Sequence, residues 1–202
     1  MTPYASRTGT RTTLAALRGA GWRLLVSATG VHRNEGLPYA IDNGAYSAFQ
    51  QGKPFDHDAF KRLMVSHGSG ADWIVLPDVV AEREPSLALS RQYLDLYGTG
   101  HRWLFAVQDG MTPQDIEPFI GSIYGLAIGG STEWKLSSAR MWGRFASNSN
   151  LHLHMLRVNT AKRIALAAAA GCHSFDGTSV CAFPSTLRLL DYSRRQTSLR
   201  LI

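Results

Sequence analysis

The chain has 202 residues, of which 45% are hydrophobic and 18% charged; this suits one domain (residues 1–202) with a sizeable core and excludes a chain that is disordered over most of its length. A formal net charge of +6 favours polyanionic partners, nucleic acid above all. The two cysteines, Cys172 and Cys181, are too few for a disulfide scaffold and form no CxxC zinc pair, so a reducing cytoplasm is the expected compartment.

Residues 1–13 are polar and lack the apolar run of a signal peptide, and no stretch is long and apolar enough to span a membrane. RLLVSA (residues 23–28) reads as a strand, and YAID (Tyr39–Asp42) as a short buried one. Residues 56–67 have amphipathic helical spacing, with Phe60, Leu63 and Met64 on one side. WIVLP (73–77) is a strand that stops at Asp78, residues 86–97 are helical, and WLFAVQ (103–108) is another strand. A helix is expected over 112–120, with Thr112 as cap, Pro113 at its first position and Asp115 in its first turn. A short strand over 126–128 leads into Gly129 and Gly130, followed by a helix over 134–145. LHLHMLRV (151–158) alternates like a strand, and an alanine-rich helix over 160–170 ends at Gly171. The last strand begins at Ser174.

Strands alternating with helices imply parallel strands and right-handed crossovers. About seven strands are visible where a TIM-like (β/α)8 barrel takes eight, so one is hidden near a terminus or the barrel is reduced; an open doubly wound sheet is the competing α/β architecture. There is no internal repeat, linker or low-complexity tract. Arg188, Arg194, Arg195 and Arg200 enrich the C-terminal stretch, either as a phosphate-contacting surface or as a solvated helix face.

In parallel α/β folds the active site lies at the carboxyl ends of the strands. Those ends carry Asp42, Asp78, Gln108, Gly129, Gly130 and Asp176. Each aspartate alone could be a cap or turn residue, Asp42 especially, with Asn43 and Gly44 behind it. Gathered in one cleft, they suit a reaction that develops positive charge on a sugar: one carboxylate attacks the anomeric carbon while another manages protons. Binding of a divalent metal is the rival use of three aspartates.

Five segments in order then resemble one family, the tRNA-guanine transglycosylases and the related enzymes that place 7-deazaguanines in DNA. IDNGAY (41–46) resembles its TDSGGF/Y segment, and LPDVV (76–80) stands where the family has a strand ending in a base-reading aspartate. LFAVQDG (104–110) resembles LFGIVQGG, and GLAIGGS (125–131) resembles GYAIGGL. HMLRVNT followed by AAGCHSFDGTS resembles the pair YLMGVGT and GVDMFDCV. The resemblance runs from about residue 40 to 180. It implies Asp176 as nucleophile on the sugar C1′ and Asp42 as general acid/base, although a close pair could exchange these roles. It implies Asp78, Gln108, Gly129 and Gly130 as readers of the base edge, and Tyr46 and Leu156 as the two faces that sandwich the base, with Asn43 beside them. No cofactor is implied. The expected partners are DNA, with tRNA as the alternative, and a free 7-deazaguanine base; a homodimer or a partner protein stays open.

The chain departs from the family in lacking the CxCxxC…H zinc site, in being short, in carrying GTS after Asp176, and in placing Arg157 and Ala45 where the family has glycine. These departures favour DNA over tRNA. They leave two other readings: a metal-assisted hydrolase, and a non-catalytic nucleic-acid binding protein. His152 and His154 face one side of their strand, as a packed pair or as metal ligands. His173 is a candidate to tune Asp176. Glu133 and Lys135 are expected either at the pocket border or in a surface ion pair, Trp134 as a core aromatic or a stacking platform, and both cysteines as buried thiols.

Overall fold

The computed structural model describes residues 1–6, 10–183 and 185–199. Eight parallel strands close into a barrel in sequential order: β1 Thr2–Ser6, β2 Arg23–Ser27, β3 Tyr39–Asp42, β4 Ile74–Val75, β5 Trp103–Val107, β6 Gly125–Ile128, β7 His152–Met155 and β8 Ser174–Gly177. The hidden strand is β1, TPYAS. It closes the ring by pairing Tyr4 with Asp176 on one side and with Arg23 on the other. The barrel is therefore complete, and the open doubly wound sheet is excluded. Among the described residues no helix is long and apolar enough to cross a membrane.

The helices are α1 Arg11–Gly19, α2 Ala45–Gln50, α3 His57–His67, α4 Arg83–Tyr97, α5 Pro113–Ile116, α6 Thr132–Asn148, α7 Ala161–Ala169, α8 Ser179–Ala182 and α9 Thr186–Leu199. Several begin at side-chain caps that satisfy a free N–H of the first turn: Asp56 accepts from Ala59 N at 2.8 Å, and Thr160 from Arg163 N at 3.3 Å. The helix expected over 112–120 divides at Glu117, where α5 gives way to a 3₁₀ turn, Glu117–Ser122. Pro118 brings no N–H to continue the α-helical ladder.

Apolar residues fall into two layers. Tyr4, Leu25, Ala40, Trp73, Val75, Leu104, Ala106 and Ala127 fill the barrel interior. A larger cluster, including Leu17, Trp22, Phe60, Phe105, Trp142 and Phe175, packs the barrel wall against the helices. The period of two along a strand carries the interior series upward to the carboxyl ends: Leu25 to Ser27, Ala40 to Asp42, Ala106 to Gln108, Ser174 to Asp176. Bulky Trp73 and Tyr4, ring centroids 4.9 Å apart, plug the lower layer. Ala40, opposite Trp73 by the Ile41–Ile74 register, and the paired Ala106 and Ala127 contribute small side chains to the same interior.

One close approach fixes a helix on the outside. A Cβ on Gly143 of α6 would stand 2.1 Å from the carbonyl oxygen of Ala170 at the end of α7. Gly143→Ala is expected to force these helices apart and to cost about 1–3 kcal/mol. A thermal melt would register this as a Tm lowered by roughly 3–10 °C; an unchanged Tm would mean that the contact is soft.

Of the C-terminal arginines, Arg194 and Arg195 lie away from the strand ends that carry the aspartates. Arg194 and Arg195 pair with Asp191 at 2.7 and 2.8 Å. Arg194 also reaches Ala20 O at the C-terminus of α1 (3.5 Å), and Trp22 Nε1 donates to Asp191 (3.2 Å). This part of α9 thus ties down the amino-end face of the barrel, with the Arg195 side chain still 61% exposed. Arg188 is exposed, and Arg200 lies outside the described residues.

Candidate active site

The six residues singled out at the strand ends meet at one mouth of the barrel, together with Asn43, Tyr46 and Leu156. A cavity of about 300 Å3 is lined by Ser27, Asp42, Tyr46, Leu156, Arg157 and Asp176, among others. Beside it lies a slot of about 30 Å3, lined by Asn43, Asp78, Gln108, Gly129 and Gly130 and sharing Asp42, Tyr46, Leu156 and Arg157 with the cavity.

Asp42 ends β3 and is held by a tight turn. Its Oδ2 accepts from Ser27 Oγ at 2.9 Å and from Gly44 N at 3.1 Å. Gly44 sits at φ 87°, where a Cβ would be strained and would press on Thr29 at 3.0 Å. Asn43 Oδ1 accepts from Ala45 N at 2.8 Å and helps start α2, so the Asp-Asn-Gly turn and a carboxylate aimed into the cavity are one device. Burial pushes the Asp42 carboxyl up to about 6; the Ser27 hydrogen bond works against this and the nearby Asp176 adds to it.

Asp78 is the centre of a buried network. Asn43 Nδ2 donates to its Oδ1 at 2.6 Å and Gln108 Nε2 to its Oδ2 at 2.8 Å. Gln108 Oε1 in turn accepts from Ala81 N and Gly130 N, both at 2.9 Å. Burial is the main cause raising the Asp78 carboxyl to about 7, opposed by the Asn43 bond. The Gly pair is sterically required: a Cβ on Gly129 would lie 2.6 Å from Gln108 Nε2, and one on Gly130 2.2 Å from Asp109 Oδ1.

Asp176 leaves β8 with Oδ1 accepting from Arg157 N and from His154 Nε2, each at 3.1 Å. Oδ2 has no protein hydrogen-bond partner among the described residues and lies on the cavity wall. His173 is not its neighbour in this network. The His173 ring accepts from Leu153 N at 3.0 Å and stacks on His152; the imidazole in contact with Asp176 is that of His154.

Arg157 stands out. It has φ 59°, a strained conformation for a long side chain. Its guanidinium lies 4.0 Å from the centroid of the Tyr46 ring and donates to the carbonyl of Gly130. The arginine therefore covers the small slot and rests on the face of Tyr46. Behind it, Lys135 is 1% exposed and donates to Leu156 O at 2.6 Å. Burial, with Arg157 as the next cause, lowers this ammonium to about 7. Lys135 is thus a buried support for the Leu156–Arg157 backbone, neither a surface ion pair nor a lining residue of the pocket. Trp134, half-buried, packs under Gly130 and against the core at Trp142, 6.3 Å between ring centroids.

Sequence reasoning left Ser27, His154, Arg157 and Asn159 without a place in the site. Asn159 Oδ1 accepts from Thr178 N and Ser179 N at 2.8 and 3.0 Å, tying the loop after β7 to the one after β8. The period-two series Leu25 to Ser27 and His152 to His154 carried a usable signal for two of these. Cys172 is buried and Cys181 half-buried; burial raises their thiols to about 12 and about 11, which makes both poor nucleophiles. Among the described residues, no three of His, Cys, Asp and Glu gather into a set that could hold a metal ion.

No protein-family model matches the chain, and none of the curated proteins matches it significantly.

Proposed function

We propose that the protein is a base-exchange glycosyltransferase that replaces guanine in DNA with a 7-deazaguanine derivative through a covalent aspartyl-glycosyl intermediate. One observation carries this reading. Two carboxylates from β3 and β8 face one cavity, and a polar, glycine-backed slot with an aromatic wall adjoins it. The slot lies where a planar base would stack on Tyr46, and Asp78, Gln108 and the Gly130 backbone form its polar floor.

The free Oδ2 of Asp176 attacks C1′ of the deoxyribose, forming a C1′–O bond as the bond to guanine N9 breaks. The bond's electron pair leaves with the guanine, and Asp42 supplies the proton that neutralises it. The incoming base then attacks C1′ through its own nitrogen, Asp176 departs as carboxylate, and Asp42 takes up the proton released. A carboxyl near 6 is suited to both transfers, because each form is populated close to neutral pH. The Asp78 oxygens each accept one bond from the protein and keep a second lone pair for N–H groups of a base. Extruding the target base from the duplex would be needed to reach the slot.

Label from radioactive guanine should enter double-stranded DNA and not bulk tRNA. Entry into tRNA alone would keep the chemistry and change the substrate; entry into neither by the folded protein would remove the reading.

Arg157 sets a condition on entry. A slot of about 30 Å3 holds roughly one water, far less than a purine, so the guanidinium must leave Tyr46 before a base can stack there. A closed form lowers apparent affinity by the fraction that is open. Arg157→Ala is expected to tighten binding of free guanine, measured by calorimetry, by roughly 5- to 50-fold, the value of a cation–π contact plus one hydrogen bond. Weaker binding would mean that the guanidinium holds the base and does not exclude it.

A further inference from the structure

A chain of polar side chains climbs the inside of the barrel to Asp176. His152 and His154 stand two residues apart on β7, and Ser174 is the register partner of His154 on β8. His152 Nε2 lies 2.7 Å from Ser174 Oγ, His154 Nδ1 lies 2.8 Å from the same oxygen, and His154 Nε2 lies 3.1 Å from Asp176 Oδ1. His154 and Ser174 are fully buried. The His154 ring is wedged between Trp73, at 4.4 Å between centroids, and Tyr4 at 6.0 Å. Its register partner on β6 is Ala127, part of the apolar barrel interior, so an apolar side chain would fill the position without the cost of burying polar atoms.

The donors and acceptors in this chain have one consistent direction. A carboxylate only accepts, so the bond to Asp176 requires the hydrogen on His154 Nε2. In the tautomer that carries its hydrogen on Nε2 alone, Nδ1 accepts, and the single hydrogen of Ser174 points at it. That leaves the Ser174 oxygen to accept from His152 Nε2–H. Burial, reinforced by the flanking rings of His154 and His173, pushes the His152 imidazole down to about 3, which keeps it neutral and able to take this tautomer.

We infer that His154 is a positioning residue for Asp176, and that Ser174 and His152 set the ring tautomer that makes it one. The inference rests on Asp176 being the nucleophile. With Oδ1 fixed by His154 and by the Arg157 amide, rotation of the carboxylate about its last bond is blocked and Oδ2 stays on the cavity side. Misplacing a reacting atom by about 1 Å costs on the order of 10²-fold in rate.

Two measurements test this, and they fail separately. In base exchange on DNA, His154→Phe should lower kcat by roughly 10²-fold with KM changed by less than about threefold. His154→Gln, whose amide N–H can reach the same oxygen, should restore kcat to within about tenfold of wild type, and Ser174→Ala should fall between the two. Equal loss in the Phe and Gln variants, or a change confined to KM, would overturn the inference. Long-range 1H–15N spectra of the histidine rings read the chain without any substrate. The expected result is His154 with hydrogen on Nε2 and a bare Nδ1, with the Nδ1 resonance moved by Ser174→Ala and Nε2–H moved by Asp176→Ala. Hydrogen on Nδ1 in the wild type would overturn the inference. If wild type exchanges no base into any polynucleotide, the proposed function falls, while the ring spectra still decide the hydrogen-bond chain.

Discussion

Asp176→Asn is expected to abolish base exchange, by at least ~10³-fold, in a protein that is still folded. Asparagine has nearly the same shape, and its carbonyl oxygen can take the place of Oδ1 and accept from Arg157 N and His154 Nε2 as the carboxylate does. The remaining position becomes an NH2 group, which has no lone pair to give to C1′. The failure should therefore be chemical and not structural: circular dichroism and Tm close to wild type, no label incorporated, and no protein–DNA adduct surviving a denaturing gel. Removing the Asp176 charge also removes one of the causes that raise the Asp42 carboxyl, so the Asp42 pKa should move down in this variant. Retained activity in Asp176→Asn, with the adduct lost only on changing Asp42, would exchange the roles of the two aspartates.

What the sequence disclosed follows from how parallel barrels are built. Strands buried on both faces read as unbroken apolar runs, which is why WIVLP and WLFAVQ stand out and why the polar residue ending each run lies at the mouth. β1 escaped because TPYAS has only Tyr4 and Ala5 as clear apolar residues, between Pro3 and flanking hydroxyls. Its identity comes from closure, since β2 and β8 would otherwise each present an open edge. α2 was hidden for a local reason: Asp-Asn-Gly reads as a turn, and a six-residue helix leaves little periodicity behind it. Arg157 and Lys135 were illegible in kind, and His154 only partly legible. The departure from glycine at 157 was visible, but neither its positive φ nor its seat on Tyr46 is a local property. Lys135 lies in the first turn of an amphipathic helix, where lysine is ordinarily solvated, and only Leu156 O across the helix–barrel boundary explains its burial. The alternation of LHLHML showed that the two histidines share a face; that the face is the barrel interior depends on all eight strands.

Asp42→Asn should give the less usual result of a protein that is inactive and more stable. The loss of exchange should be roughly 10²- to 10⁴-fold, the usual value of a placed acid/base. The stability change follows from the raised carboxyl. Unfolded, the group ionises near 3.8, and folded near 6, so between these values the folded chain binds more protons than the unfolded one and stability falls as pH rises. Below the unfolded value nothing is lost, and above about 6 the full penalty applies, about 3 kcal/mol for a shift of this size. The asparagine carries no charge, and its side-chain oxygen can still accept from Ser27 Oγ and Gly44 N. Denaturant unfolding should therefore show the variant more stable than wild type by about 1–3 kcal/mol at pH 8 and little different at pH 4. The same titration sets the reaction's two halves against each other. Departure of guanine needs the protonated form and arrival of the new base the ionised one, so trapped adduct should accumulate at pH 5 and be scarce at pH 7.5. A variant no more stable at pH 8 would mean that the Ser27 and Gly44 bonds already offset the cost of burial; adduct favoured at the higher pH would mean that another group delivers the proton.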